Sequence, residues 1–330
     1  MSNFKWGILG TGGIASAFVK DLNNTSGHEV VAVGSRALSK AQEFIIGIPG
    51  AAAYGSYQEL VDDPHIDAVY VATPHPMHCE HTLLALNAGK PVLCEKPFAI
   101  SAIEAEAMFN CARANGVALL EAMWTRYLPH IALVREILDS GVLGKIETLE
   151  ADHGQRLSDQ HINRLVDPSL AGGALLDLGI YPISFAHLVL GTPTAITARG
   201  VFTARGVDAQ TSAILDYADG AQGVINTTMI ARTPCRAVVS GLLGRLEIES
   251  YFYAPTSMRI VLHDGTITEY PNAYVGHGLR EQAIEMARVV RAGLLESPLM
   301  PWSETVAVMK TMDEIRHQIG LTYPFEELKK

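Results

Sequence analysis

The stretch Lys5-Trp6-Gly7-Ile8-Leu9-Gly10-Thr11-Gly12-Gly13-Ile14-Ala15 decides the fold. Its first five residues are a short apolar run that reads as a buried strand, and residues 14–22 read as a helix. Between them lies the pattern G-x-G-x-x-A, with Ala15 in the third small position. Gly10 allows the tight turn. Gly12 removes a side chain that would hold a pyrophosphate off the backbone, and Ala15 lets the helix pack close to the strand. Such a helix points its positive end and free N–H groups at anionic phosphates. A plain glycine turn is the alternative, and the strand-then-helix context argues against it.

The same rhythm runs to about residue 122. Strands are expected at His28–Ser35, 66–72, 91–95 and 117–122, with helices at 37–46, 77–88 and 101–115. Pro74 and Pro76 interrupt the chain after the third strand, and Gly89 reads as a helix cap. Strands alternating with helices mean βαβ units and a parallel, doubly wound sheet. The rhythm then changes. Residues 129–139 read as a helix, 145–152 as extended, 155–172 as a polar loop and 173–190 as a helix. From about 194 to 270 short strands alternate with turn signals, Asp219-Gly220 and Asp264-Gly265 among them. Tight turns imply antiparallel neighbours. Helices at 278–293 and 303–318 close the chain. The expected fold class is therefore α/β, in two domains. Residues 1–122 form a dinucleotide-binding Rossmann domain. Residues 123–330 form an α+β substrate-binding and oligomerisation domain with an open, mainly antiparallel sheet, whose last helix can pack back on the first domain.

Composition agrees. The chain has 330 residues, enough for two domains and a core that needs no metal or disulfide staple. Its 48% hydrophobic and 18% charged content fits a globular enzyme. A formal charge of -10 argues against a nucleic-acid partner. Cys79, Cys94, Cys111 and Cys235 form no C-x-x-C pair, so a reducing, cytoplasmic setting without structural zinc is expected. No signal peptide is expected, and no apolar run was expected to reach the ~18 residues of a membrane span.

Ligands of such sheets bind outside the carboxyl ends of the strands. After the second strand an NAD site wants a carboxylate for the ribose hydroxyls; here Ser35 and Arg36 follow, with Lys40 four residues on. Arg and Ser hydrogen-bond a 2′-phosphate, so NADP is favoured over NAD, unless Arg36 stacks on adenine or faces solvent. Thr73-Pro74-His75-Pro76-Met77-His78 follows the next strand, and His75 and His78 either contact a nicotinamide ribose or cap the following helix. In Glu95-Lys96-Pro97 a lysine ends an apolar strand without a packing reason, and beside a nicotinamide it can stabilise charge on a reacting oxygen. Trp124, Arg126 and Tyr127 either line a polar, stacking pocket or pack a hinge. His153 and His161 lie in or near the loop region. No H-E-x-x-H or serine–histidine–aspartate order occurs, and no metal is expected.

Together, Gly10–Ala15, Glu95-Lys96-Pro97 and Gly172-Gly173-Ala174-Leu175-Leu176-Asp177-Leu178-Gly179-Ile180-Tyr181 resemble the Gfo/Idh/MocA oxidoreductase family over essentially the whole chain. Glu121-Ala122-Met123-Trp124-Thr125-Arg126 narrows the resemblance to the dimeric dihydrodiol dehydrogenase and NADP-dependent D-xylose dehydrogenase branch. The resemblance implies that Lys96 is catalytic and that Gly10, Thr11, Gly12, Gly13, Ile14, Ser35, Arg36, Lys40, Thr73, Pro74, His75, His78, Glu95 and Lys96 face the cofactor. Many members carry Asp and His four residues apart on a helix of the second domain; here these are Asp177 and Tyr181, on one helix face. Pro182 should kink that helix. A phenol has pKa ~10, and an ammonium nearby lowers it, so Tyr181 can take or give the alcohol proton. Trp124, Arg126, Asp177 and Tyr181 would meet a carbohydrate-like substrate. Two other classes stay open: a non-catalytic dinucleotide-binding regulator and an NAD-relay glycoside hydrolase. A homodimer or dimer of dimers, joined through the open sheet, is expected. If Arg36 reads the 2′-phosphate, NADP raises the melting temperature well above what NAD achieves at equal concentration; equal shifts would refute that role.

Overall fold

The computed structural model describes residues 2–156 and 164–327; His161 and residues 157–163 of the expected loop lie outside them. The first half holds strands β1 (Phe4–Leu9), β2 (His28–Gly34), β3 (Ala52–Tyr54), β4 (Ala68–Val71), β5 (Val92–Glu95) and β6 (Leu119–Ala122). Between them run helices α1 (Gly13–Leu22), α2 (Leu38–Phe44), α3 (Tyr57–Val61), α4 (His78–Asn87) and α5 (Ala102–Asn115). Then come α6 (Pro129–Asp139), β7 (Ile146–Gly154) and α7 (Ile180–Leu190). Seven strands follow: β8 (Ala195–Phe202), β9 (Asp208–Asp216), β10 (Gln222–Thr228), β11 (Ala237–Gly241), β12 (Gly244–Ile248), β13 (Met258–Leu262) and β14 (Ile267–Tyr270). Helices α8 (Arg280–Arg291), α9 (Trp302–Ile319) and α10 (Pro324–Glu327) end the chain.

Contacts divide the chain into two compact units. The first runs to Tyr127 and takes in Gly276–Thr305; the second is Leu128–Val275 and the chain from Val306 on. The sequence reading placed its boundary after residue 122 and assigned 276–305 to the second domain. Specific bonds tie that segment to the first unit. The Asp21 carboxylate of α1 accepts the N–H groups of Gly278 at 3.0 Å and Arg280 at 2.9 Å, at the start of α8. A carboxylate at a helix N-terminus satisfies orphan donors and suits the dipole. Trp302 Nε1 donates to the Leu119 carbonyl at 2.8 Å, and Leu119 N–H to Leu295 at 3.0 Å.

The first sheet has the order β3-β2-β1-β4-β5-β6 and is parallel throughout. Trp6, Ile8, Leu9, Val33, Tyr70 and Leu93 are fully buried, as expected of a sheet covered on both faces. Phe18 of α1 stacks on Tyr70 at 3.9 Å and meets Trp6 edge-on at 5.5 Å, which seats the helix on the strands. The short β3 and α3 went unread because three- and five-residue elements carry too little periodicity, and Gly50, Gly55 and Pro64 punctuate the stretch.

The second sheet has the order β14-β13-β12-β11-β7-β10-β9-β8. Its pairs are antiparallel except β7 with β10. Both Asp-Gly turns close hairpins, with Gly220 at φ 90° and Gly265 at φ 91°. One segment departs from expectation. An 18-residue window in Pro168–Leu190 reaches mean hydropathy 1.5, long and apolar enough for a span, yet 78% of it is buried inside the protein. Such a run is also what a core helix looks like.

Glu121, 2% exposed at the end of β6, accepts the Thr305 hydroxyl at 2.8 Å. Burial pushes its carboxyl from 4.5 up to about 7, against the pull of that hydroxyl and of Arg126. The folded state therefore holds a proton that the unfolded chain releases, and stability falls as pH rises from about 4.5 through 7. Glu121→Gln should remove roughly 3 kcal/mol of that decline. Unfolding midpoints at several pH values check this; an unchanged slope would refute it.

Candidate active site

In the phosphate loop Gly10 takes φ 110°, and a Cβ there would come within 2.9 Å of the Ala72 carbonyl oxygen, so only glycine fits the turn. Gly12 and Gly13 differ. A Cβ on either would meet nothing within 4 Å, so the protein itself does not demand glycine there. Gly12 caps α1 with no side-chain bond to the helix N–H groups, and Gly12, Gly13 and Ile14 are exposed. An open, uncapped helix N-terminus lined by glycines fits the approach of a pyrophosphate. Ser35 is buried at the end of β2, and Arg36 next to it is exposed. Burial raises the Tyr57 phenol and the nearby Arg36 charge pulls against that rise, while the Tyr57 ring packs edge-on to His81 at 4.5 Å. Tyr57 thus stands near Arg36, and it carried no signal in the sequence because the short α3 leaves no periodic pattern. Lys40 forms an exposed ion pair with Glu43 at 2.9 Å.

The next strand ends carry the other expected residues. Thr73 and His75 are buried, and Pro74 is exposed. His78 faces inward. It is fully buried, with Nδ1 2.8 Å from the Pro97 carbonyl and Nε2 2.8 Å from the Thr73 carbonyl. Two carbonyls favour a doubly protonated ring, but complete burial outweighs them and pushes the ring down to about 4. His78 bridges the Thr73 and Pro97 carbonyls of two loops. Glu95 also turns inward: it accepts from the Tyr70 hydroxyl and, at 3.1 Å, from the N–H of Lys96. Lys96 is half-buried, and its bond to Pro97 is cis. Arg126 is buried too. It is 1% exposed, with its guanidinium 2.6 Å from Glu304 in the same unit. Tyr127 donates to the Glu121 carbonyl at 2.9 Å, and Trp124 packs on His277 at 5.1 Å. These three side chains are packed within the first unit.

In the second unit the expected helix 173–190 is split. Leu175–Gly179 is a π-helical turn and α7 starts at Ile180. The disruption falls before Pro182 because a proline ring collides with the carbonyl four residues back, and a widened turn relieves the collision. Gly173 begins the segment at φ 120°; a Cβ there would lie 2.1 Å from Asp208 Oδ1. Buried Asp208 accepts the Leu175 N–H at 2.8 Å and the Thr211 hydroxyl at 2.8 Å. The Gly-Gly of the motif therefore makes room for a buried carboxyl that caps this turn.

Asp177 pairs with Arg164 at 3.1 Å. Tyr181 is 7% exposed and has two ring neighbours, His153 at 5.2 Å and Tyr253 at 4.8 Å. His153 stacks on Tyr253 at 4.2 Å. Tyr253 and Gln155 were not foreseen, since no spacing relates them to Tyr181. Burial pushes the Tyr253 phenol far above its ordinary value, so it stays neutral. Among the described residues no cluster of three His, Cys, Asp or Glu side chains could hold a metal ion.

Residues 4–123 match the oxidoreductase family with an NAD-binding Rossmann fold, and residues 131–247 match the GFO/IDH/MocA C-terminal domain. D-xylose 1-dehydrogenase (NADP(+)) of Hypocrea jecorina is 38% identical, over 97% of this chain and 93% of its own. Trans-1,2-dihydrobenzene-1,2-diol dehydrogenase of Mus musculus is also 38% identical, over 97% of this chain and 98% of its own. The crystal structure of a 3-ketoreductase from Actinomadura kijaniata, with NADP and TDP-benzene, is 27% identical and superposes with a TM-score of 0.86, covering 96% of this chain and 98% of that one. The chain belongs to the Gfo/Idh/MocA oxidoreductase family.

Proposed function

We propose that this chain is an NADP-dependent dehydrogenase or reductase acting on a CH–OH group of a sugar or other polyhydroxylated small molecule, of the aldose or trans-dihydrodiol type. The observation that carries the reading is the open, uncapped start of α1 with Arg36 at the end of the neighbouring strand. Relatives named for NADP and for xylose or dihydrodiol oxidation support it. When bound, NADP supplies the hydride acceptor or donor.

The chain's own residues do the rest. Backbone N–H groups from Gly10 to Ile14 hold the pyrophosphate, and Ser35 and Arg36 hold the 2′-phosphate. Thr73, Pro74 and His75 flank the nicotinamide ribose. Tyr181 takes the proton from the substrate hydroxyl during oxidation and returns it during reduction. Lys96 donates to the same substrate oxygen and favours the charged phenolate. Asp177, oriented by Arg164, accepts from a neighbouring substrate hydroxyl.

The cross-strand partners Ile214 and Val224 are 41% and 44% exposed on one face of the second sheet, which supports a homodimer or dimer of dimers through that face. Four cysteines without a disulfide support a reducing, cytoplasmic setting. Lys96→Met should lower turnover on the order of a thousandfold while NADP affinity stays within a few-fold. Steady-state rates with a sugar panel and a binding titration check this; surviving turnover would remove Lys96 from the chemistry.

A further inference from the structure

We infer that His153, held by Gln155, is the positioning residue for Tyr181: its ring anchors the π-helical turn that presents the phenol. The inference rests on the reading of Tyr181 as the proton-transfer group. It begins with Pro182, which has no N–H. The carbonyl four residues earlier, Leu178, thereby loses its α-helical donor. His153 Nδ1 lies 3.1 Å from that carbonyl. A carbonyl only accepts, so Nδ1 carries the proton and fills the place the proline left. Leu178 is 4% exposed, so without this bond a buried acceptor would lose a donor.

The other ring nitrogen is also assigned. Nε2 lies 2.8 Å from Gln155 Nε2, an amide nitrogen that only donates, so His153 Nε2 accepts. His153 is therefore the neutral Nδ1–H tautomer. The same amide nitrogen donates its second hydrogen to the Tyr253 hydroxyl at 3.0 Å. One amide thus fixes the two rings that stand against Tyr181. His153 is 1% exposed and Tyr253 is 8% exposed, so neither ring has room to swing. The consequence is a phenol whose backbone is tethered through Leu178 and whose ring is walled by His153 and Tyr253. Holding a proton-transfer group in one orientation removes an entropic part of the barrier, and a displacement of 1 Å can cost about a hundredfold.

The test uses the full chain with NADP and the fastest substrate among D-xylose, other aldoses and a trans-dihydrodiol. His153→Leu keeps bulk but offers no donor; it should lower kcat about 10- to 100-fold with the KM for NADP unchanged. His153→Asn places an N–H near the Nδ1 position and should recover kcat to within a few-fold of wild type. In a Tyr181→Phe background, His153→Leu should cost less than about twofold, because its effect runs through the phenol. Equal losses for the Leu and Asn variants, or a full loss repeated on top of Tyr181→Phe, would overturn the positioning role. If His153→Leu does not fold, Gln155→Leu replaces it, with a several-fold loss of kcat that also vanishes in the Tyr181→Phe background; a loss that persists there overturns the inference. Wild-type turnover in Tyr181→Phe alone would instead remove the reading of Tyr181 on which the inference stands.

Discussion

The second unit is organised around a carbonyl whose regular α-helical donor is missing. Pro182 withholds the donor that Leu178 would receive in a regular helix, and the chain responds with a widened turn and a histidine from β7. The segment is anchored at its other end as well, where the buried Asp208 carboxyl caps it at Leu175 and leaves no space for a side chain on Gly173. Asp177 lies between the two anchors and Tyr181 follows the second by three residues, and the proposed chemistry rests on their orientation. A regular, freely packing helix would place the same side chains with less constraint. Here two interactions drawn from distant strands hold the segment in register.

The first unit has its own constraint, one turn long. The positive φ of Gly10 and its closeness to the Ala72 carbonyl bring the end of β1 against β4, so α1 starts directly over the carboxyl ends of the strands. Open space above Gly12 and Gly13 follows from that start. Chain returning after Gly276 adds a further layer, capped by Asp21 and bonded to β6 through Leu119. Buried Glu121 and the Arg126–Glu304 pair sit in that seam.

Much of this was legible in the residues. Gly10 to Ala15, the alternation of short apolar runs with helices, and the two Asp-Gly turns each report a local constraint, and local constraints leave local patterns. Family resemblance followed from three short motifs, and the matches over 4–123 and 131–247 agree with it. What stayed hidden is non-local. His78 and Arg126 have chemistry suited to a ligand, and their burial and their partners, 19 and 178 residues away, left no local pattern. Tyr253 meets Tyr181 across 72 residues, with Gln155 bonded to it, and no periodicity encodes such a meeting. The return of 276–305 to the first unit rests on ties spread from Asp21 to Arg126, and no local pattern marks them.

The central proposal is that Lys96 and Tyr181 act on one substrate oxygen. A crystal structure of the complex with NADP and a non-reacting sugar analogue measures this directly. Lys96 Nζ and Tyr181 Oη should both lie within about 3.2 Å of the same sugar oxygen. An analogue bound with either group turned away from that oxygen, while the reacting carbon still faces the nicotinamide, would contradict it.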